Sequence, residues 1–176
     1  FRPLCFTSYV IAVPKGNPAK IANIEDLTRP GVRVAMALEA SAPGGQAVMG
    51  ILKAADITGK VLANVREQGS CVQRSVADVT EGRADAMIVE RRICRMARFA
   101  DKLEYVEIPD RLFPAGPLTF TVGMMANAAD PAKATAYMDW ITSAQGQEYF
   151  EAAGFIPAIS PKGMELVEKL GVKDVA

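Results

Sequence analysis

Between Val32 and Pro109 the sequence swings repeatedly from a short β-branched run to a helical pattern, and most swings turn on a glycine or a proline. That rhythm restricts the fold more than any other feature of the chain. Val32-Arg33-Val34-Ala35-Met36 follows Pro30-Gly31 and reads as a strand. The loop Ala40-Ser41-Ala42-Pro43-Gly44-Gly45 opens a helix to about Ala55, with Val48, Ile51, Leu52 and Ala55 at helical spacing. Residues 61–65 read as the next strand. Gly69-Ser70 leads into a helix over 71–81, with Ser70 as its N-cap, and Gly82 ends it. Residues 84–89 form a buried strand, 91–99 a third helix, and 103–109 a strand with alternating faces. Strands and helices that alternate across short connections predict an α/β fold, with a mostly parallel sheet flanked by helices.

The flanks break the rhythm. Residues 6–13 read as one β-rich run stopped by Pro14, followed by the turn Lys15-Gly16-Asn17-Pro18. Asn23 caps a short helical turn, with Asp26 at its third position. After Pro109 comes the loop Pro114-Ala115-Gly116-Pro117, then a strand over 118–124. Asp130-Pro131 starts a helix that carries Ala134, Tyr137, Met138 and Ile141 along one face. Residues 144–153 form another helix, ended by Gly154, and 161–170 a short terminal one.

The inventory of side chains excludes several functions. The 176 residues include no histidine, which removes Ser-His-Asp and Cys-His nucleophiles and histidine-ligated zinc. Lysine and arginine total 20, as do aspartate and glutamate, so no global basic field holds nucleic acid or an anionic membrane. Cys5, Cys71 and Cys94 form no CxxC pair and read as buried or inert thiols. No apolar run reaches the roughly 18–20 residues of a membrane span. The chain begins at Phe1 without methionine or a leader, which suggests a processed or partial form and leaves export open. The expectation is a binding protein, with no catalytic residue, cofactor or metal.

In an open parallel sheet, ligands sit beyond the carboxyl ends of the strands. Three segments have that form: Ser41-Ala42-Pro43-Gly44-Gly45, Gly69-Ser70-Cys71-Val72, and Val89-Glu90-Arg91-Arg92. Glycine lets the backbone approach a ligand, and a helix start attracts an anion. Arg91, Arg95 and Arg98 fall on one helical stripe beside Arg92, either a basic wall near an anion or a solvated face. Asp78, Glu81, Asp85 and Glu90 could supply acids to an enzyme with Cys71 as nucleophile, but no base accompanies that thiol.

Several stretches carry a family resemblance: VIAVPKGNPAKIANIEDLTRPGVRVAM (10–36), Pro43-Gly44-Gly45, EGRADAMIV (81–89), LEYVEIPD (103–110) and SAQGQEYFEAAGFIPA (143–158). Together they resemble the periplasmic molybdate-binding proteins of ABC transporters, a branch of the type II solute-binding proteins. The resemblance implies two α/β lobes and an oxyanion held between them, with a membrane permease as partner and the permease as the only link to the membrane. It implies a periplasmic or extracytoplasmic location and a chain covering about the C-terminal two-thirds of that fold. Residues 1–14 would be a hinge strand, 15–116 the second lobe, 117–125 the return hinge, and 126–176 C-terminal helices packing toward the first lobe. The family's backbone donors fall on Gly44 and Val72, within a ligand set of Ala42, Gly44, Gly45, Ser70, Cys71, Val72, Glu90, Arg91 and Arg92.

Glu90 stands where the family has a cleft tyrosine. A carboxylate beside a dianion is repulsive unless it is protonated, paired with arginine or bound to the metal centre. Another oxyanion, an organic anion or a cationic ligand therefore stays open. Cys71 and Cys94 flank the implied cleft and could form a disulfide or hold a soft metal. The alternative use of the fold is as the effector-sensing domain of a transcription regulator.

Overall fold

The computed structural model describes residues 1–40, 42–113 and 119–170. In chain order these form β1 (Arg2–Phe6), β2 (Tyr9–Pro14), β3 (Val34–Met36), α1 (Ala42–Ala54), α2 (Thr58–Ala63), β4 (Val65–Gln68), α3 (Val72–Thr80), β5 (Ala86–Glu90), α4 (Arg91–Cys94), β6 (Leu103–Glu107), β7 (Thr119–Val122), α5 (Pro131–Thr142), α6 (Ala144–Ala152), β8 (Ile156–Pro157) and α7 (Pro161–Leu170). The chain divides into two compact units, Tyr9–Ala115 and Phe1–Ser8 with Gly116–Ala176.

The unit Tyr9–Ala115 is built on a five-stranded sheet of order β4-β3-β5-β2-β6. β3 pairs in parallel with β4 and β5, whereas β2 runs antiparallel to both β5 and β6. Four strands thus point one way and β2 alone is reversed. Tyr9–Val13 is buried throughout, as expected of an apolar strand covered on both faces. Alternate residues serve opposite faces. Ile11, Val13, Val34 and Ile88 pack with Ile51, Leu52 and Val61 on one side. Val10, Ala12, Ala35, Met87 and Val89 pack with Val76, Val79, Ile93 and Phe99 on the other. Each such Val, Leu, Ile, Met or Phe side chain contributes about 1.5–3 kcal/mol on burial.

Local signals act as expected at several ends. Asn23 Oδ1 accepts from the Asp26 N–H at 3.0 Å while the Asn23 N–H donates to Asp26 Oδ2 at 3.2 Å, closing a capping box on a 3-10 turn over Ile24–Thr28. Gly82 follows α3 at φ +74, the left-handed conformation that ends helices cheaply.

Three expectations change. The run 6–13 is not one strand: Thr7-Ser8 interrupts it, so β1 and β2 belong to different sheets. Residues 61–65 are not a strand either. Val61 is the buried position of α2 and its N–H donates to the Ile57 carbonyl, while Leu62 is exposed. β4 begins only at Val65. Short apolar runs of this kind suit a buried helical turn as well as a strand. The third helix is four residues long and stops at Cys94. Successive turns then carry the chain to Lys102, in a path that keeps Ile93, Cys94 and Phe99 buried.

The other unit holds a three-stranded antiparallel sheet of order β7-β1-β8. Its core is small: Phe6, Ala158 and Leu166, with Ile156, Val167 and Leu170 packed against them. Asp130 caps α5 through the Lys133 N–H at 3.0 Å, and Pro131 occupies its first turn, as the sequence indicates. The strand expected over 118–124 is observed as β7, and the loop at 114–117 lies outside the described residues. Among the described residues no helix is long and apolar enough to cross a membrane.

Candidate functional site

β3 and β5 run side by side in parallel, β5 continuing to Glu90, and a cavity of about 90 Å³ opens at their carboxyl ends. This volume is well above the roughly 10–15 Å³ that one water needs, so a group of a few heavy atoms fits. Met36, Ala37 and Leu38 line it as the chain leaves β3, and Met87 to Glu90 line it from β5. Gly44, Gly45 and Val48 come from the first turns of α1, and Val72 begins α3. Tyr9 enters from β2, and Arg92 completes the lining.

Two glycines allow this convergence. A Cβ on Gly45 would lie 2.1 Å from the Leu38 carbonyl oxygen, so only glycine seats α1 against the exit of β3. A Cβ on Gly69 would lie 2.2 Å from Ser75 Oγ. Without it, the Gly69 N–H reaches the Met36 carbonyl at 2.8 Å, and Ser75 Oγ donates to the same oxygen at 3.4 Å. The last residue of β3 is thereby tied to the start of α3.

Polar groups in the pocket are few. Glu90 Oε2 lies 2.5 Å from Arg92 Nη2, with the Glu90 side chain only 16% exposed. Tyr9 is directly opposite Glu90 in the β2–β5 register and is 3% exposed. Its hydroxyl is buried without a hydrogen-bond partner. Burial pushes the Tyr9 pKa up to about 12, the Glu90 charge adds to the rise, and Arg92 opposes it.

The residues picked out by sequence separate into two groups. Gly44, Gly45, Val72, Glu90 and Arg92 come together in the pocket lining. Ser70, Cys71 and Arg91 do not line it. Ala42 opens α1, and its side chain lies outside the described residues, as does Ser41. Ser70 is exposed and is not the N-cap of α3; Cys71 holds that position in extended geometry. Arg91 turns toward β6, 2.6 Å from Glu107 and over the Tyr105 ring at 5.5 Å. Arg98 donates to Gln73 Oε1 at 2.7 Å. With α4 ending at Cys94, the arginines share no helical stripe.

The three thiols are free, so Cys71 and Cys94 form no disulfide. Cys71 is exposed, and the backbone N–H groups of Arg74 and Gln73, with the charges of Arg98 and Arg74, hold its pKa below the ordinary value. Burial pushes Cys94 up to about 11. Among the described residues no cluster of three or more acids and thiols is placed to hold a metal. Of the acids considered for catalysis, Asp85 pairs with Arg33 at 2.6 Å and Asp78 and Glu81 both pair with Arg83, whereas Glu90 lines the pocket. Sequence reasoning missed Tyr9, whose sole signal was an aromatic in an otherwise aliphatic strand. Its place beside Glu90 depends on pairing between distant segments.

Residues 1–156 match the family described as bacterial extracellular solute-binding protein. The molybdate-binding protein ModA of Mycobacterium tuberculosis is 32% identical over 147 residues, 83% of this chain and 52% of that protein. The chain therefore spans about half the length of the curated relatives it matches. The substrate-binding domain of a putative molybdenum ABC transporter from Clostridium difficile superposes with a TM-score of 0.75 at 21% identity, covering 89% of this chain and 66% of that one. The periplasmic molybdate-binding protein of Azotobacter vinelandii gives a TM-score of 0.59 at 17% identity, covering 88% and 68%. These two likenesses identify the fold as that of the type II periplasmic binding proteins.

Proposed function

Because the chain belongs to the bacterial extracellular solute-binding proteins, we propose that it acts as the extracytoplasmic binding component of an ABC importer, taking a small oxyanion or related anion. The observation that carries this reading is the pocket beyond β3 and β5, where an unpartnered Tyr9 hydroxyl meets the starts of two helices. A helix start gathers backbone N–H groups and about half a positive charge, a sequence-independent attraction for an anion. In a cavity lined by Met36, Leu38, Val48, Val72, Met87 and Val89, such donors act in a low dielectric and gain strength.

The roles follow from placement. Gly44, Gly45 and Val72 present backbone, Tyr9 donates its hydroxyl, and Glu90 with Arg92 forms the charged rim. Binding is non-covalent, with release to a membrane permease and no chemistry done on the ligand. The molybdate-binding relative and the molybdate-related solved structures support an oxyanion as the ligand class.

Nuclear magnetic resonance titration of the 15N-labelled chain with molybdate, tungstate, sulfate and phosphate tests this directly. At least one anion should shift the amides of Gly44, Gly45 and Val72 in a saturable way. Shifts confined to surface lysines and arginines, or none, would sink the proposal.

A further inference from the structure

The polar side chains of the pocket lining are Tyr9, Glu90 and Arg92. Arg92 and Glu90 are the charged residues that line it, and they pair at 2.5 Å, so their charges cancel. The anion gains no net countercharge from these side chains. Among the described residues, what remains is a donor set, the Tyr9 hydroxyl and the helix starts, beside one carboxylate acceptor, Glu90.

An ionised carboxylate accepts hydrogen bonds and donates none. A fully deprotonated oxyanion is likewise acceptor-only. Placed together in a cavity with apolar walls, the two oppose lone pair to lone pair, and no hydrogen bond replaces the water lost at that contact. An anion that keeps a hydroxyl turns the same contact into a charge-assisted hydrogen bond, among the strongest available to a protein.

From this we infer that the pocket selects an anion bearing its own hydroxyl, a protonated oxyanion of the hydrogen-phosphate class, over fully ionised tetrahedral anions. Glu90 is the specificity-determining residue: it accepts from the ligand's O–H. Tyr9, opposite it across the β2–β5 pair, donates to a ligand oxygen, which satisfies a hydroxyl that is otherwise unpartnered. Inorganic phosphate retains at least one proton at neutral pH, whereas sulfate, molybdate and tungstate retain none. The inference rests on the anion-binding reading above and narrows its ligand.

The test compares inorganic phosphate with sulfate and molybdate by the same amide titration, in the unaltered chain and in Glu90→Gln and Tyr9→Phe. Phosphate should bind at least about tenfold more tightly than either fully deprotonated anion, since a polar group left unpaired by the wrong ligand discriminates strongly. Glu90→Gln replaces an acceptor with a group that also donates, so that preference should shrink by about tenfold or reverse. Tyr9→Phe should weaken all three anions and leave their ratio unchanged. Sulfate or molybdate binding as tightly as phosphate would overturn the selectivity while leaving anion binding intact. A ratio unmoved by Glu90→Gln overturns it too, with the amide spectrum of the variant reporting that the fold is kept. Binding of none of the three removes both readings.

Discussion

In the unit Tyr9–Ala115 the helices are held by what they cover: α1 buries Val48, Ile51 and Leu52 against one sheet face, and α3 buries Val76 and Val79 against the other. In the unit containing β1, β7 and β8, the longest helix works differently. α5 has no buried residue, and its Tyr137 and Trp140 rings, with Tyr149 of α6, lie about 6 Å apart in an exposed tilted series. α5 is set at its start by the Asp130 cap and Pro131, and Asp139 pairs with Arg2 of β1 at 2.6 Å. Packing makes one kind of helix and local capping the other, so identical substitutions have unequal effects in the two units.

The largest contrast is expected at Leu52, fully buried under the sheet. Leu52→Ala should cost about 2–5 kcal/mol, read as a lower midpoint in urea denaturation. A loss below about 0.5 kcal/mol would mean that α1 is not held by its core face. Next is Gly45→Ala, where the added carbon meets a backbone oxygen. It should cost about 1–3 kcal/mol and displace the amide signals of Leu38 and Val72. A neutral outcome would show that α1 can slide from β3 and that the pocket is not rigid.

A smaller effect depends on pH. Burial alone pushes the Asp85 carboxyl up, but the Arg33 side-chain hydrogen bond, backbone N–H and charge outweigh it and leave the pKa below the ordinary 3.8. Because the folded-state value is the depressed one, this contribution is complete above pH 3.8 and is lost as pH falls through the folded value. Asp85→Asn should therefore lower stability near neutrality and flatten the acid limb, as seen in thermal melts across pH. An unchanged acid limb would remove the pair from the account. Smallest is Tyr137→Ala in α5, expected to shift stability by no more than about 0.5 kcal/mol. A cost comparable to Leu52→Ala would reveal a packed environment for α5 and erase the contrast.

The same contrast explains which parts of the molecule were legible in its sequence. Ends governed by neighbouring residues could be read: the Asn23–Asp26 box, the Asp130-Pro131 start and Gly82 at the end of α3. The alternation of strand and helix also carried through to the sheet. Elements decided by distant packing could not be read. Val61 is helical because α2 presents it to the core, and the arginine-rich segment stops at Cys94 to keep Phe99 buried. At the pocket, strand-to-helix turns pointed to Gly44, Gly45, Val72, Glu90 and Arg92, since topology alone puts such turns at one sheet edge. Arg91 and Cys71 were next in sequence but turn elsewhere, and Tyr9 joins the pocket through an antiparallel pairing that no local pattern encodes.

β2 is the earliest strand of its sheet in the chain, yet both its partners, β5 and β6, come after every other strand of that sheet. During synthesis its Tyr9–Val13 segment, apolar on both faces, leaves the ribosome long before anything that can pair with it. Such non-local closure slows folding and leaves sticky intermediates in the meantime. Nascent chains stalled before residue 86 should accordingly bind holdase chaperones through this segment, and chains extended past residue 107 should let go.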